Sequence, residues 1–168
     1  MLIRLSSVIL DFKKRQGNLR MMMVSTQNKD HSKHNERNLF LTKEKLEEII
    51  DWTKALSELA EDESCTIIVE GQKDMNSLKS LGVKGNYESV REIIQSLKKG
   101  LQDEFNGHSY VILTDFDKEG KLLHLHLKTM LTSLGAKIIE WPRIRYLKIG
   151  LPPKIEEAYN FIIKRRNK

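Results

Sequence analysis

From position 42 onward the chain alternates between two hydrophobic periods. Leu46, Ile49, Ile50, Leu56 and Leu59, with Thr53 among them, recur at helical spacing behind Thr42, a candidate N-cap. Cys65-Thr66-Ile67-Ile68-Val69 is a short β-branched run of the kind that forms a strand buried on both faces. Asp74–Leu81 reads as a helix ended by Gly82, and residues 83–87 as a short strand. Glu88–Phe105 reads as one helix, with Val90, Ile93, Ile94, Leu97, Leu101 and Phe105 on a face. Tyr110-Val111-Ile112-Leu113 is a second buried strand, Lys118–Leu134 a helix closed by Gly135, and Ala136–Trp141 a further strand. After Pro152-Pro153 a last helix is expected to about Arg165, with Pro153 in its first turn and Ile155, Ala158, Tyr159 and Ile162 on its docking face. Strands alternating with helices predict an α/β fold: a central parallel sheet of about four strands flanked by helices.

Residues 20–38 have no apolar period and read as a flexible segment. Leu2, Leu5, Ile9 and Phe12 can line a helical face, and the run Met21-Met22-Met23 can mark an alternative start. The expected organisation is therefore a basic N-terminal extension over 1–38, an α/β domain over 39–142, and a basic C-terminal segment and helix over 143–168.

Composition narrows the class. With 168 residues, 39% apolar and 31% charged, the chain has room for one domain and enough apolar mass for a core. One cysteine, Cys65, excludes an internal disulfide framework and a multi-cysteine zinc site. No apolar run approaches the roughly 18 residues needed to cross a bilayer. Leu2–Leu10 carries Arg4 and two serines, too polar for a secretory signal core. A cytoplasmic protein without membrane association is the expectation.

The net charge of +6 is an average over opposites: +5 over 1–38, −5 over 39–142 and +6 over 143–168. Such sorting suits a body that holds cations in its middle and meets a polyanion with its ends. Blocks of like charge also occur in plain solvated tails.

Two strands end in carboxylates. Cys65–Val69 runs into Glu70-Gly71, and Tyr110–Leu113 into Thr114-Asp115-Phe116-Asp117-Lys118-Glu119-Gly120. Ligands of open α/β sheets bind outside the carboxyl ends of the strands, at a topological switch point. If these strands are neighbours, Glu70, Asp115 and Asp117 converge, and three carboxylates so close repel unless a cation neutralises them. Hard oxygen donors suit Mg2+ or Mn2+. Gly71 and Gly120 leave room for a ligand to approach the backbone. Against this, Asp117 can simply cap the helix at Lys118, and Glu70 can be a solvated strand end. An aspartyl-phosphatase reading of the D-x-D fits poorly, because that motif follows a first strand and continues with small hydroxyl residues.

Thr66–Asp74, with Glu70-Gly71-Gln72-Lys73-Asp74, followed some 40 residues later by Val111–Gly120, resembles the TOPRIM domain over about residues 64–141. That family is shared by topoisomerases, bacterial-type primases, OLD-type nucleases and the bacterial 5S ribosomal RNA maturase. The Glu-Gly-x-x-Asp form is closer to the primase and maturase branch, and an archaeal-type small protein is expected. Lys121 stands where topoisomerase-like sequences usually have a further Glu. The resemblance implies a Rossmann-like fold, Glu70 as general acid/base, Asp115 and Asp117 as Mg2+ ligands, and Asp74 as an auxiliary acid. Metal-dependent cleavage of RNA or DNA is the expected activity; too few residues remain for a complete topoisomerase or primase. A non-catalytic nucleic-acid-binding or docking module of a processing complex is the alternative, and small-molecule phosphotransfer a weaker third.

Candidate polyanion contacts are Lys73 and Lys118 beside the acidic patch, and Arg143, Arg145, Lys148, Lys164, Arg165 and Arg166 in the C-terminal segment. Each can instead be an ordinary surface cation, or complement the dipole of its own helix. His124 and His126, two apart on a helix, cannot form an i,i+4 zinc pair and read as surface or core-edge residues. Trp52 and Trp141 read as packing residues, and Cys65 as an inert thiol. Nucleic acid and other processing proteins are the expected partners, with a dimer allowed.

Overall fold

A computed structural model describes residues 41–166 of the chain. Helix α1 (Lys43–Ala60) begins where Thr42 Oγ1 accepts the Lys45 N–H at 3.2 Å, as the N-cap pattern predicts. Ile49, Trp52, Leu56 and Ala60 are its buried face, while Lys43–Glu47 and Lys54–Glu58 pair on the solvent side. Strand β1 (Cys65–Val69) is buried along its whole length and leads into α2 (Gln72–Ser80). Next come β2 (Asn86–Ser89), α3 (Val90–Lys98), a 3-10 turn at Gln102–Phe105, and β3 (Ser109–Leu113). Helix α4 (Lys118–Ser133), β4 (Lys137–Ile138), α5 (Trp141–Ile149), a 3-10 turn at Ile155–Glu157 and α6 (Ala158–Arg166) complete the order.

The sheet runs β2-β1-β3-β4 with every pairing parallel. Residues on β1 and β3 alternate between two cores, as period-two geometry requires. Ile67, Val69, Val111 and Leu113 face a core shared with α1, α2, α5 and α6. Ile68 and Ile112 face a second core, with Val90 and Ile93 of α3 and Leu127 and Leu131 of α4. The chain leaves β1 through α2 toward one edge and leaves β3 through α4 toward the other, on opposite faces. The switch point, and with it the natural crevice, lies between β1 and β3.

The α/β class and the four-stranded parallel sheet are as read from the sequence. Several boundaries differ. The single helix expected over Glu88–Phe105 is three pieces: Glu88 closes β2, α3 stops at Lys98, and Phe105 belongs to a 3-10 turn. Gly100 adopts φ +80°, which halts the helix at a residue without a Cβ penalty. The strand expected over Ala136–Trp141 is paired only at Lys137–Ile138, with Ile139 N–H reaching Tyr110 O at 2.8 Å. Trp141 instead opens a helix absent from the sequence reading, with Pro142 in its first turn, where a missing N–H costs nothing.

The boundary expected after residue 142 separates nothing in the described residues. Tyr146, Ile149, Leu151, Ile155 and Ala158 are buried in the same core as β1 and β3. Trp52 Nε1 donates to Pro142 O at 2.9 Å, tying α1 to the start of α5. Trp52 packs edge-on to Tyr146, whose ring stacks on Phe116 with centroids 5.0 Å apart. Trp141, read as a packing residue, is exposed, and so is Tyr159 of the expected docking face. The proposed N-terminal extension, 1–38, lies outside the described residues.

Candidate metal centre and its surroundings

Four acidic side chains stand at the carboxyl ends of β1 and β3 and in the first turn of α2, and each holds one backbone N–H. Glu70, the first residue after β1, accepts the Asp115 N–H on Oε1 at 2.9 Å. Asp115 Oδ1 in turn accepts the Ile155 N–H at 2.8 Å. Asp117 Oδ1 accepts the Gly120 N–H at 2.8 Å and so caps α4, while Asp74 Oδ2 accepts the Gly71 N–H at 2.9 Å at the start of α2. The capping role weighed for Asp117 is therefore real, and Asp74, at the third position of α2, takes the N–H of the N-cap Gly71 in the reciprocal sense. Neither excludes a ligand, since a carboxylate has about four lone-pair sites and one hydrogen bond uses a single site.

Electrostatics mark the cluster as under-neutralised. Burial, followed by the negative charges of Asp115, Asp74 and Asp117, pushes the Glu70 carboxyl above the usual range against the pull of the Asp115 N–H. Asp115 and Asp74 are also raised, burial being the larger cause in each, with carboxylate neighbours adding to it. Among the described residues, no lysine, arginine or histidine nitrogen lies within 4.0 Å of these four carboxylates. A hard divalent cation matches this donor set in charge and in oxygen chemistry. The described side chains are not preassembled around one point: no group of three or more is close enough to hold a metal as they stand.

The loop carrying Asp115 and Asp117 is held from below by Arg143 of α5. Its guanidinium is buried, at 7% exposure, and donates to Thr114 O, to Thr114 Oγ1 at 3.2 Å and to Asp115 O at 3.0 Å. It lies 4.1 Å from the Phe116 ring centre. Thr114 Oγ1 also donates to Gly120 O at 2.8 Å, and Phe116 N–H to Pro153 O at 2.7 Å. Gly120 packs its Cα directly on the Asp115 carbonyl, so a Cβ there would collide with backbone. Gly71 is the opposite case: a Cβ would meet nothing within 4 Å.

Arg143 was expected among the polyanion contacts, and its donors are turned inward instead, onto the D-x-D loop. Lys73 lies 3.7 Å from Glu156, with most of its side chain exposed. Lys118 is exposed in the first turn of α4, and Lys148 and Lys164 are exposed on α5 and α6. Arg145 is half-buried, and Arg165 lies 3.9 Å from the Phe161 ring centre. Arg166 ends α6. His124, on α4, sits half-buried 3.4 Å from Glu140, a core-edge position as expected.

Sequence reading missed the inward role of Arg143, the Ile155 N–H on Asp115, and the ion pair of Lys128 with Glu140 at 2.9 Å. Pro142 was the local signal for the start of α5, and the apolar face of the last helix the signal that the C-terminal segment docks on the domain.

The Toprim domain family model matches residues 64–139, the stretch that holds β1 to β4 and the carboxylates at the switch point. Such domains are in general metal-binding and serve nucleic-acid cleavage or joining. The chain is 32% identical over 133 residues to a UPF0292 protein of Methanosarcina barkeri, covering 77% of this chain and 91% of that one. A UPF0292 protein of Methanocaldococcus jannaschii is 30% identical over 128 residues, covering 73% and 93%. The chain belongs to the UPF0292 family. A solved Aquifex aeolicus protein shares the fold, with a TM-score of 0.50, 22% identity, and coverage of 64% of this chain and 95% of that one.

Proposed function

We propose that the protein cleaves nucleic-acid phosphodiesters, RNA or DNA, with a divalent cation held by Asp115, Asp117 and Glu70. The observation that carries the reading is the carboxylate cluster at the switch point, with Asp74 buried, Glu70 and Asp115 half-buried and Asp117 exposed, and no cationic side chain within ion-pair reach among the described residues. Mg2+ or Mn2+, when bound, would polarise a phosphoryl oxygen and favour ionisation of the attacking or leaving oxygen. Glu70 is poised to hold or release a proton at its free Oε2, because its surroundings favour the protonated form. Asp74 fixes the Gly71 N–H, leaving an open face at Gly71 where a phosphate can approach the backbone. The Glu-Gly-x-x-Asp motif supports placing this chemistry nearer the primase and RNA-maturase branch than the topoisomerases.

A second reading has its own support. The carboxylates are not gathered within coordination distance of one point, which suits a module that binds nucleic acid without cutting it. No helix among the described residues is long and apolar enough to cross a membrane, and a cytoplasmic setting fits a free, buried Cys65.

The deciding experiment incubates labelled single- and double-stranded RNA and DNA with Mg2+, Mn2+ or EDTA, beside Glu70→Gln and Asp115→Asn. Cleavage that needs metal and is lost in both variants establishes the enzyme. Binding without cleavage in any metal establishes the module.

A further inference from the structure

Resting on that reading, we infer that the strand reaching Glu70 is single-stranded and is guided along the outer face of α3. Glu70 forms one end of a groove of 510 Å³ between α3 and α4, lined by Arg91, Ile94, Gln95 and Lys98 from α3 and by Leu123 from α4. The four α3 residues stand at i, i+3, i+4 and i+7, so they form one stripe. Val90, which also lines the groove, belongs with Ile93 and Leu97 to the adjacent stripe packed on the core.

The composition of the outer stripe is unlike a solvated helix face. Arg91 and Lys98 have no carboxylate within 4.0 Å among the described residues, though ion pairs at three or four residues' spacing line the outer face of α1. Between them Ile94 is 41% exposed, and Leu123 is half-buried opposite. Two free cations seven residues apart lie about 10 Å apart along the axis. That arrangement offers two backbone contacts with an apolar seat and an amide between them.

A phosphate chain needs such help at this place. The carboxylate cluster repels it, and the buried guanidinium of Arg143 is turned onto Thr114 and Asp115. Helices α5 and α6, with the C-terminal basic residues, pack against the core on the other face of the sheet. The α3–α4 groove is on the face that opens directly at Glu70. Arg91 and Lys98 contact phosphates and set position, while Ile94 and Leu123 seat a base or sugar and Gln95 meets a base edge. A base is free to enter an apolar seat only when it is outside a duplex stack, which assigns the occupant as a single strand.

The test is fluorescence anisotropy in EDTA, so that binding is read without turnover. Labelled oligo-rU, oligo-dT and a duplex of equal length are titrated with the full chain and with Arg91→Gln/Lys98→Gln across a salt series. Both substitutions lie on an exposed face, and thermal melting verifies that each protein is folded. The expected result is at least fivefold weaker single-strand binding in the double variant, with a log–log salt slope shallower by about 1.4, two contacts at roughly 0.7 each. Ile94→Gln is expected to weaken binding of oligo-dT but not of an abasic strand. Unchanged affinity and slope in the double variant, with the wild type binding, overturn the groove alone. Equal losses for duplex and single strand overturn the single-strand assignment. Loss of binding in the double variant, from a wild type that never cleaves, upholds the groove and removes the catalytic reading. A wild type that binds neither nucleic acid at low salt overturns both.

Discussion

Glu70 Oε1 accepts the Asp115 N–H at 2.9 Å, joining two motifs 45 residues apart through a single hydrogen bond. The bond lies across the β1–β3 pairing, in which Val69 is registered against Leu113. The glutamate thus both belongs to the site and fixes where the D-x-D loop begins. Glu70→Gln keeps an acceptor oxygen and removes a crowded charge, so the folded protein is expected to gain roughly 0.5–1 kcal/mol without metal. Glu70→Ala orphans the Asp115 N–H and is expected to lose about 1 kcal/mol or more. Urea denaturation of both variants in EDTA checks the contrast; equal stability of the two would mean the bond carries no weight.

Crowding also sets a pH dependence. Glu70, Asp74 and Asp115 all hold their protons more tightly folded than unfolded. The folded state therefore binds more protons between the ordinary carboxylate range and these raised values, and stability falls as pH rises through that window. The melting temperature of the wild type relative to Glu70→Gln, in EDTA, is expected to show this decline from the ordinary carboxylate range upward. Added Mg2+ is expected to offset it at the upper end only, where the carboxylates are ionised.

Arg143 sets the shape of the loop through three hydrogen bonds to Thr114 and Asp115. Arg143→Met leaves Thr114 O and Asp115 O without a donor and is expected to cost about 1–3 kcal/mol. Arg143→Lys places a point charge where a planar fork was and should not restore the loop. Mn2+ titration by calorimetry is expected to show affinity weakened in both, as it should be if Arg143 positions the ligand loop. An unchanged Mn2+ affinity in a folded Arg143→Lys protein would show that Arg143 serves packing alone.

The two glycines of the motifs should behave oppositely. Gly120→Ala forces a Cβ onto the Asp115 carbonyl and is expected to destabilise by roughly 1–3 kcal/mol while displacing the D-x-D loop. Gly71 has extended backbone at φ −160° with open space beside it, so Gly71→Ala is expected to leave the melting temperature nearly unchanged. If a phosphate approaches at Gly71, that same variant loses nucleic-acid affinity despite its stability.

Removing residues 143–168 was the natural sequence-level test of a basic tail. The structure makes it a test of folding instead. Tyr146, Ile149, Leu151, Ile155 and Ala158 would leave the core, and Asp115 would lose the Ile155 N–H. The truncated chain is expected to lose its cooperative thermal transition. Lys164→Gln isolates the charge question, since Lys164 is exposed near the end of α6, whereas Arg165 also packs on the Phe161 ring.

Helical period placed α1 and α4, with Thr42 and Asp117 at their N-caps, and short β-branched apolar runs placed β1 and β3. The short β4 and the turn of helix after it were not legible. A two-residue strand has no period, and Trp141–Ile149 has apolar residues on both sides. Glu70, Asp115 and Asp117 were legible as candidates because they end strands. Which cations face them was not, and charge counting assigned Arg143 outward.

By itself, then, the sequence determined the alternation of strands and helices and the acidic motifs at two strand ends, since both are encoded over a few neighbouring residues. The tertiary structure alone decided that Tyr146 and Ile149 of α5 belong to the core, and that Arg143 and the Ile155 N–H hold the D-x-D loop. It also placed Arg91 and Lys98 beside Glu70. Such pairings depend on how crossover connections stack helices on one face of a sheet or the other, which no local pattern of charge records.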